Sequence, residues 1–218
     1  LSQYARIAVQ AFLVIGGFLA VQSLAQGGHF TQKPVPALLW KRYLKLAPPY
    51  ICALLFAIAA APIAGYLTTH ESIPDFPTLA QFIAHVFLLQ SVLGFDGLSA
   101  GVWYIAIDFQ LFALMAILLW LGGVRYLAPA LVLLVTTSSL FWFNRDADWD
   151  NWALYFFGSY GLGAAAWWAS SRKQMSAWLG VIATIAIAAL ILDFRLRIAL
   201  ALTVALVLGF SRRSGLLE

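Results

Sequence analysis

The sequence predicts an all-α fold, a polytopic bundle of transmembrane helices with about seven to eight apolar segments, one of them re-entrant. Three observations predict it. Of 218 residues, 63% are hydrophobic and only 10% charged, where soluble domains carry about 25%. The apolar residues gather into runs of about twenty, enough at ~1.5 Å per residue to cross a ~30 Å hydrocarbon core. The basic residues fall in short breaks between the runs, so the net charge of +4 marks topology rather than a nucleic-acid surface. The partner this implies is the lipid bilayer, with no nucleic acid. Cys52 stands alone, and His29, His70 and His85 lack metal-ligand spacing, so neither a disulfide nor a metal is expected. The residues read as a single domain, 1–218, belonging to a longer chain and incomplete at the N terminus and also at the C terminus.

Taken in order, Ala5 to Gln26 is the first span, with Gly16-Gly17 at its centre. Paired glycines let another backbone approach closely, which suits helix packing, and also leave room for a slender ligand. Gly27 to Ala47 is a polar interlude in which Pro34 and Pro36 are expected to end any helix before Trp40. Within WKRYLK, Lys41 and Lys45 are four residues apart and Arg42 and Lys45 three apart, so the three cations can share one broad helical face. Such a face suits phosphates or lipid headgroups, and equally a positive-inside anchor. Pro48 to Thr68 is the second span, and the loop His70 to Pro77 has acids but no lysine or arginine. Leu79 to Phe95 is apolar but short, and Asp96 to Gly101 links it to the next helix.

Val102 to Gly122 is the stretch around which the chain is organised. It is nearly unbroken in apolar character, yet it holds Asp108. A carboxylate at bilayer depth costs on the order of 2.5 to 3.5 kcal/mol, so it needs a partner, a water-filled cavity or protonation. Tyr104, Asp108, Leu111 and Phe112 share one face, with Gln110 nearly opposite. Spans from Tyr126 to Asn144, Trp152 to Ser170, Ala177 to Leu192 and Ile198 to Phe210 follow. Ser159 and Gly163 form a small-xxx-small pair, and Trp167-Trp168 are expected in an interfacial aromatic belt. The loop RDADWDN surrounds Trp149 with three aspartates, a pattern that suits a sugar and also an acidic outer loop.

Sidedness follows from the cations. If every apolar segment crosses, they divide almost evenly. If Leu79 to Phe95 returns to its own side, Lys33, Lys41, Arg42, Lys45, Arg125, Arg172, Lys173, Arg212 and Arg213 all fall inside, a clear majority of the 13. Residues 79–101 are therefore expected to form a half-crossing element buried in protein or lining a cavity. The same count places the RDADWDN loop and the Asp108 end of its helix outside, opposite the basic loop.

Three stretches together carry a resemblance. FLVIGGFL (Phe12 to Leu19) is similar to an FFVISGFL stretch, KRYLKLAPPY (Lys41 to Tyr50) to an RRxxRIxPxY segment, and WYIAIDFQLF (Trp103 to Phe112) to a WSLSVEEQFY helix. Their order and separation over residues 5–120 resemble acyltransferase family 3, integral membrane O-acyltransferases that modify sugars and polysaccharides. The resemblance implies an acyltransferase taking an acyl group, acetyl in the first instance, from cytoplasmic acyl-CoA to a glycan or lipid-linked saccharide hydroxyl. It implies a bacterial inner membrane. Lys41, Arg42 and Lys45 would hold the CoA phosphates, and Gly16 and Gly17 would admit the pantetheine arm. Asp108 would orient a histidine or bind the acceptor beside Trp103 and Tyr104, with Trp149 steering the glycan. His85, in HVFLLQSVLG, resembles a histidine of the family's HLxFLQN-like segment and is a second catalytic candidate. The family's essential arginine and histidine precede the first stretch and are not among these residues. Lysine at 41 and 45 keeps the family's charge without the bidentate fork of arginine, and aspartate at 108 is one methylene shorter than its glutamate. A transporter or a membrane assembly subunit is the competing class; no internal repeat of the transporter kind is visible.

Overall fold

The computed structural model describes residues 2–25, 30, 33–67, 76–99, 101–123, 127–170 and 175–213. Eight helices follow one another among them: α1 Ser2–Leu24, α2 Val35–Leu67, α3 Leu79–Val86, α4 Val102–Gly122, α5 Leu127–Phe141, α6 Ala153–Ser170, α7 Met175–Leu192 and α8 Leu196–Arg213. Two 3-10 turns, Phe143–Arg145 and Ala147–Trp149, join α5 to α6. No strand occurs among the described residues, so the helical bundle expected from the sequence is the fold. α2, α4 and Leu127–Arg145 are each long and apolar enough to cross a membrane. Arg125, Arg172, Lys173 and most of the His70 to Pro77 loop, which enter the topology count, lie outside the described residues, as do His29 and His70.

The chain divides into two compact units. Unit 1 comprises residues 1–35 and 111–218, and unit 2 residues 36–110. In unit 1 the central element is α6 rather than the Val102 to Gly122 stretch. Every residue of α6 from Ala153 to Ala169 except Leu154 is buried, as expected of a helix surrounded on all sides. α1, α5, α7 and α8 pack on it. Small residues make this possible, because helices in lipid associate through close backbone approach rather than a hydrophobic driving force. A Cβ on Gly163 would overlap the Val14 carbonyl of α1, and one on Gly17 the Tyr160 carbonyl of α6; Gly161 is similarly tight against Thr136 of α5. Next to this seam the buried Ser159 hydroxyl donates to Gln10 Oε1 at 2.5 Å. Trp167 and Trp168 are buried in this unit rather than facing lipid, with the Arg212 guanidinium 5.1 Å from the Trp167 ring centre.

One end of unit 1 is closed by an arginine junction. Arg195 donates to Asn144 Oδ1 (2.6 Å) and to the Leu140 carbonyl (2.8 Å), and Arg197 to the Asn144 carbonyl (2.8 Å) and the Tyr155 hydroxyl (2.6 Å). Two guanidinium groups thus satisfy the Leu140 carbonyl in the last turn of α5, where the helix ladder supplies no donors, and the Asn144 carbonyl in the 3-10 turn that follows.

Unit 2 departs from the expected segmentation. The helix expected to start after the prolines begins at Val35 and runs unbroken through Pro48, Pro49 and Pro62 to Leu67. Pro36 lies in the first turn, where a missing N–H costs nothing, so it opens the helix instead of blocking it. α3 has only 8 residues, about 12 Å of rise, too short to cross a bilayer. Its N-cap is Thr78, whose hydroxyl accepts from Gln81 N at 3.2 Å. The described backbone between α3 and α4 is irregular. Leu88 there adopts φ 60°, a left-handed value that costs a bulky residue roughly 1–2 kcal/mol. Its side chain is 1% exposed in a cluster with Tyr50, Leu54, Leu98, Val102 and Ala106, and that burial offsets the strain.

Candidate active site

Asp108 has its partner. Arg42 Nη2 of α2 lies 2.5 Å from Asp108 Oδ2 of α4, with the two side chains 28% and 12% exposed. Both belong to unit 2. A lone carboxylate on an apolar helix would be expensive; a guanidinium at contact distance provides the charge and hydrogen bond that hold it there. The pair also corrects the sidedness inferred from the sequence. Groups in direct contact lie at one depth, so the Asp108 end of α4 is level with Arg42 and not across the membrane from it.

The surrounding aromatics hold the pair in place. Tyr43, adjacent to Arg42, donates its hydroxyl to the Val86 carbonyl at 3.0 Å and sets its ring edge toward Phe109, 6.3 Å between centres. Trp40 stacks on Tyr43 at 5.6 Å. Tyr104 lies one turn before Asp108 on the same face of α4, with Trp103 edge-on to it at 6.0 Å. Lys41 and Lys45 are exposed, one turn apart on α2. The three cations therefore divide into two: Arg42 turns to the acid, and the lysines face outward.

His85 is fully buried, and both ring nitrogens are engaged by backbone. Leu98 N–H donates to Nε2 at 3.3 Å, which leaves the proton on Nδ1 to be donated to the Gln81 carbonyl at 2.8 Å. Burial pushes the imidazole below its ordinary range, the Gln81 carbonyl opposing. A neutral ring with both nitrogens committed ties α3 to the irregular segment. Gln81 and Gln90 do the same, donating to the Asp96 carbonyl at 3.0 Å and the Val102 carbonyl at 3.3 Å. These three side chains supply the polar contacts that irregular backbone needs in apolar surroundings.

Between α2 and the start of α4 lies a cavity of about 350 Å³ lined by Leu46, Pro49, Tyr50, Ala53, Leu54, Ser99, Gly101, Val102 and Ile105. The lining is almost wholly apolar. The Tyr50 hydroxyl is buried without a hydrogen-bond partner among the described residues. Tyr50 is the member of this region that sequence reasoning missed as a site residue. It closes the KRYLKLAPPY stretch, so the signal was present, but only the cations in that stretch suggested chemistry.

The remaining expected site residues lie in unit 1. At Gly17 the backbone of α6 fills the space that a pantetheine arm would need, so this glycine serves helix packing. Gly16 is half-buried on the same helix. Trp149 is half-buried, its ring edge-on to Phe143 at 4.8 Å. Leu111 and Phe112 are buried.

Residues 3–214 match the family model described as an acyltransferase domain. Comparison with curated proteins and with solved structures finds no match. The match covers nearly the whole chain, and the chain belongs to this acyltransferase family. Membership carries the enzyme reading over the transporter and assembly-subunit alternatives and, with the apolar helices, makes this a membrane protein.

Proposed function

We propose that this membrane acyltransferase moves an acyl group from cytoplasmic acyl-CoA to a hydroxyl of a glycan or lipid-linked saccharide in a bacterial inner membrane. The observation that carries the proposal is the Arg42–Asp108 pair, which joins the cationic stretch of α2 to the acid of α4. Lys41 and Lys45, exposed beside it, are suited to the phosphates of the carrier as mobile point charges. Arg42 fixes Asp108 through Oδ2. Oδ1 is then the oxygen available to orient an imidazole or to accept a hydrogen bond from the acceptor hydroxyl. Tyr104, with Trp103, lies where an acceptor sugar would contact the same face of α4.

In the reaction the acceptor oxygen attacks the thioester carbonyl. The new C–O bond forms, the C–S bond breaks, the hydroxyl proton goes to a general base, and the CoA thiolate leaves. His85 is not placed for that base, since each of its nitrogens already serves a backbone group. The family resemblance assigns the base to a histidine in a preceding helix, with Asp108 as its positioning residue.

The test is to incubate membranes carrying the full-length protein with labelled acetyl-CoA and recover the glycan fraction. Label in glycan, lost in Asp108→Asn, is the expected result. Glycan that crosses the membrane without covalent label would overturn the proposal.

A further inference from the structure

We infer that the cavity of unit 2 receives the acyl chain of the donor, and that the preferred donor carries a medium-length chain rather than acetyl. This rests on the acyl-CoA reading above. Arg42, Leu46, Pro49 and Ala53 recur at spacings of four, three and four, so they form one stripe along α2. Asp108, Ile105 and Gly101 form the facing stripe, running the opposite way along α4 and its approach. All but the two charged residues line the cavity. It is therefore an apolar slot whose one end is marked by the ion pair, the form expected of a site that holds a reactive carbonyl at the charged end and a hydrocarbon tail behind it.

Size selects the occupant. From Leu46 to Leu54 the slot follows about 12 Å of helix, the length of roughly ten bonds at ~1.2 Å of extended chain per bond. Its volume of about 350 Å³ holds on the order of ten heavy-atom-sized groups at ~30 Å³ each. An acetyl group would leave most of this apolar surface uncovered, whereas a chain of about six to ten carbons would fill it, each methylene adding favourable burial.

The experiment measures release of free CoA thiol by membranes carrying the full-length protein, supplied in turn with acetyl-, butyryl-, hexanoyl- and octanoyl-CoA. Turnover is expected to rise along the series, octanoyl exceeding acetyl by about 10-fold or more. Ala53→Trp, which fills the slot, should lower the octanoyl-to-acetyl ratio by at least ~10-fold, with Ala53→Leu intermediate. The ratio is read within each variant, so a smaller yield of folded protein does not disturb it. An acetyl optimum in the parent with a profile that neither substitution moves would overturn the inference and leave the acyl-CoA reading intact; that result would mean that bilayer lipid fills the slot. Turnover of none of the four donors would overturn both.

Discussion

Units 1 and 2 differ in what their polar side chains hold together. In unit 1 the backbones of α1 and α6 touch through Gly17 and Gly163, and the Ser159 hydroxyl is consumed by Gln10. The carbonyl of Leu140 in the last turn of α5 and that of Asn144 just beyond it are consumed by Arg195 and Arg197. Unit 2 spends its polar groups on holding irregular backbone and one charge pair around a cavity; among the described residues each unit has a buried polar atom without a partner, the Tyr50 hydroxyl in unit 2 and the Trp167 indole N–H in unit 1. A scaffold gains from filling every gap, whereas a site needs a space and groups held ready around it. The difference is the ground for proposing a site within residues 36–110, with α6 and its neighbours as the packed scaffold.

Four substitutions break or sharpen that contrast. The largest effect is expected from Arg42→Ala, which strands the Asp108 carboxylate. Stability should fall by up to the ~3–5 kcal/mol seen when one member of a buried pair is removed, with acyl transfer lost by ~10²-fold or more; thermal scans and membrane assays check the two parts. Gly163→Ala in unit 1 should cost about 1–3 kcal/mol by driving a Cβ into the Val14 carbonyl. Its folded fraction should keep the parent's donor profile, which an assay normalised to folded protein would show.

His85→Gln should cost about 1–3 kcal/mol by leaving backbone groups of Gln81 and Leu98 without their partner. It should also flatten a pH dependence. Because burial lowers the native imidazole's pKa, the unfolded chain binds the proton first, and stability is full above pH 6.5 and declines as pH falls below it. Melting temperatures across pH 5 to 8 (about the range in which histidine titrates) would show the decline in the parent and its loss in the variant. Trp149→Ala should lower stability by about 0.5–1.5 kcal/mol through loss of the edge-on contact with Phe143. If the RDADWDN loop steers the glycan, the variant raises KM for the acceptor without changing that for the donor; unchanged acceptor affinity disposes of that role.

Most of the fold was legible because lipid permits so few alternatives. Apolar runs of sufficient length predicted α1, α4, α5, α7 and α8 in type and order. The misreading of α2 came from taking Pro34 and Pro36 as helix breakers: Pro36 lies in the first turn of α2, where a missing N–H is tolerated, so the helix starts at Val35 instead of after the prolines. The central place of α6 was written in its glycines, alanines and Ser159. It was read there as one small-residue pair, since which small residues meet another helix is a property of the partner. At the site, Asp108 and the cations were each recognisable as charges out of place. Their contact was not, because Arg42 and Asp108 are 66 residues apart in sequence and the cation count sorts loops by side without measuring depth. The roles of His85, Gln81 and Gln90 depend on which backbone groups the irregular segment leaves open, and no spacing in the sequence announces that.

Arg42 and Asp108 are proposed to act as one group. A double-mutant cycle of Arg42→Ala, Asp108→Ala and the pair together, read as acyl transfer from acyl-CoA by membranes carrying the full-length protein, tests it most directly. If the two act as one group, the double variant is no worse than the worse single variant. Losses that multiply would show two independent groups and contradict it.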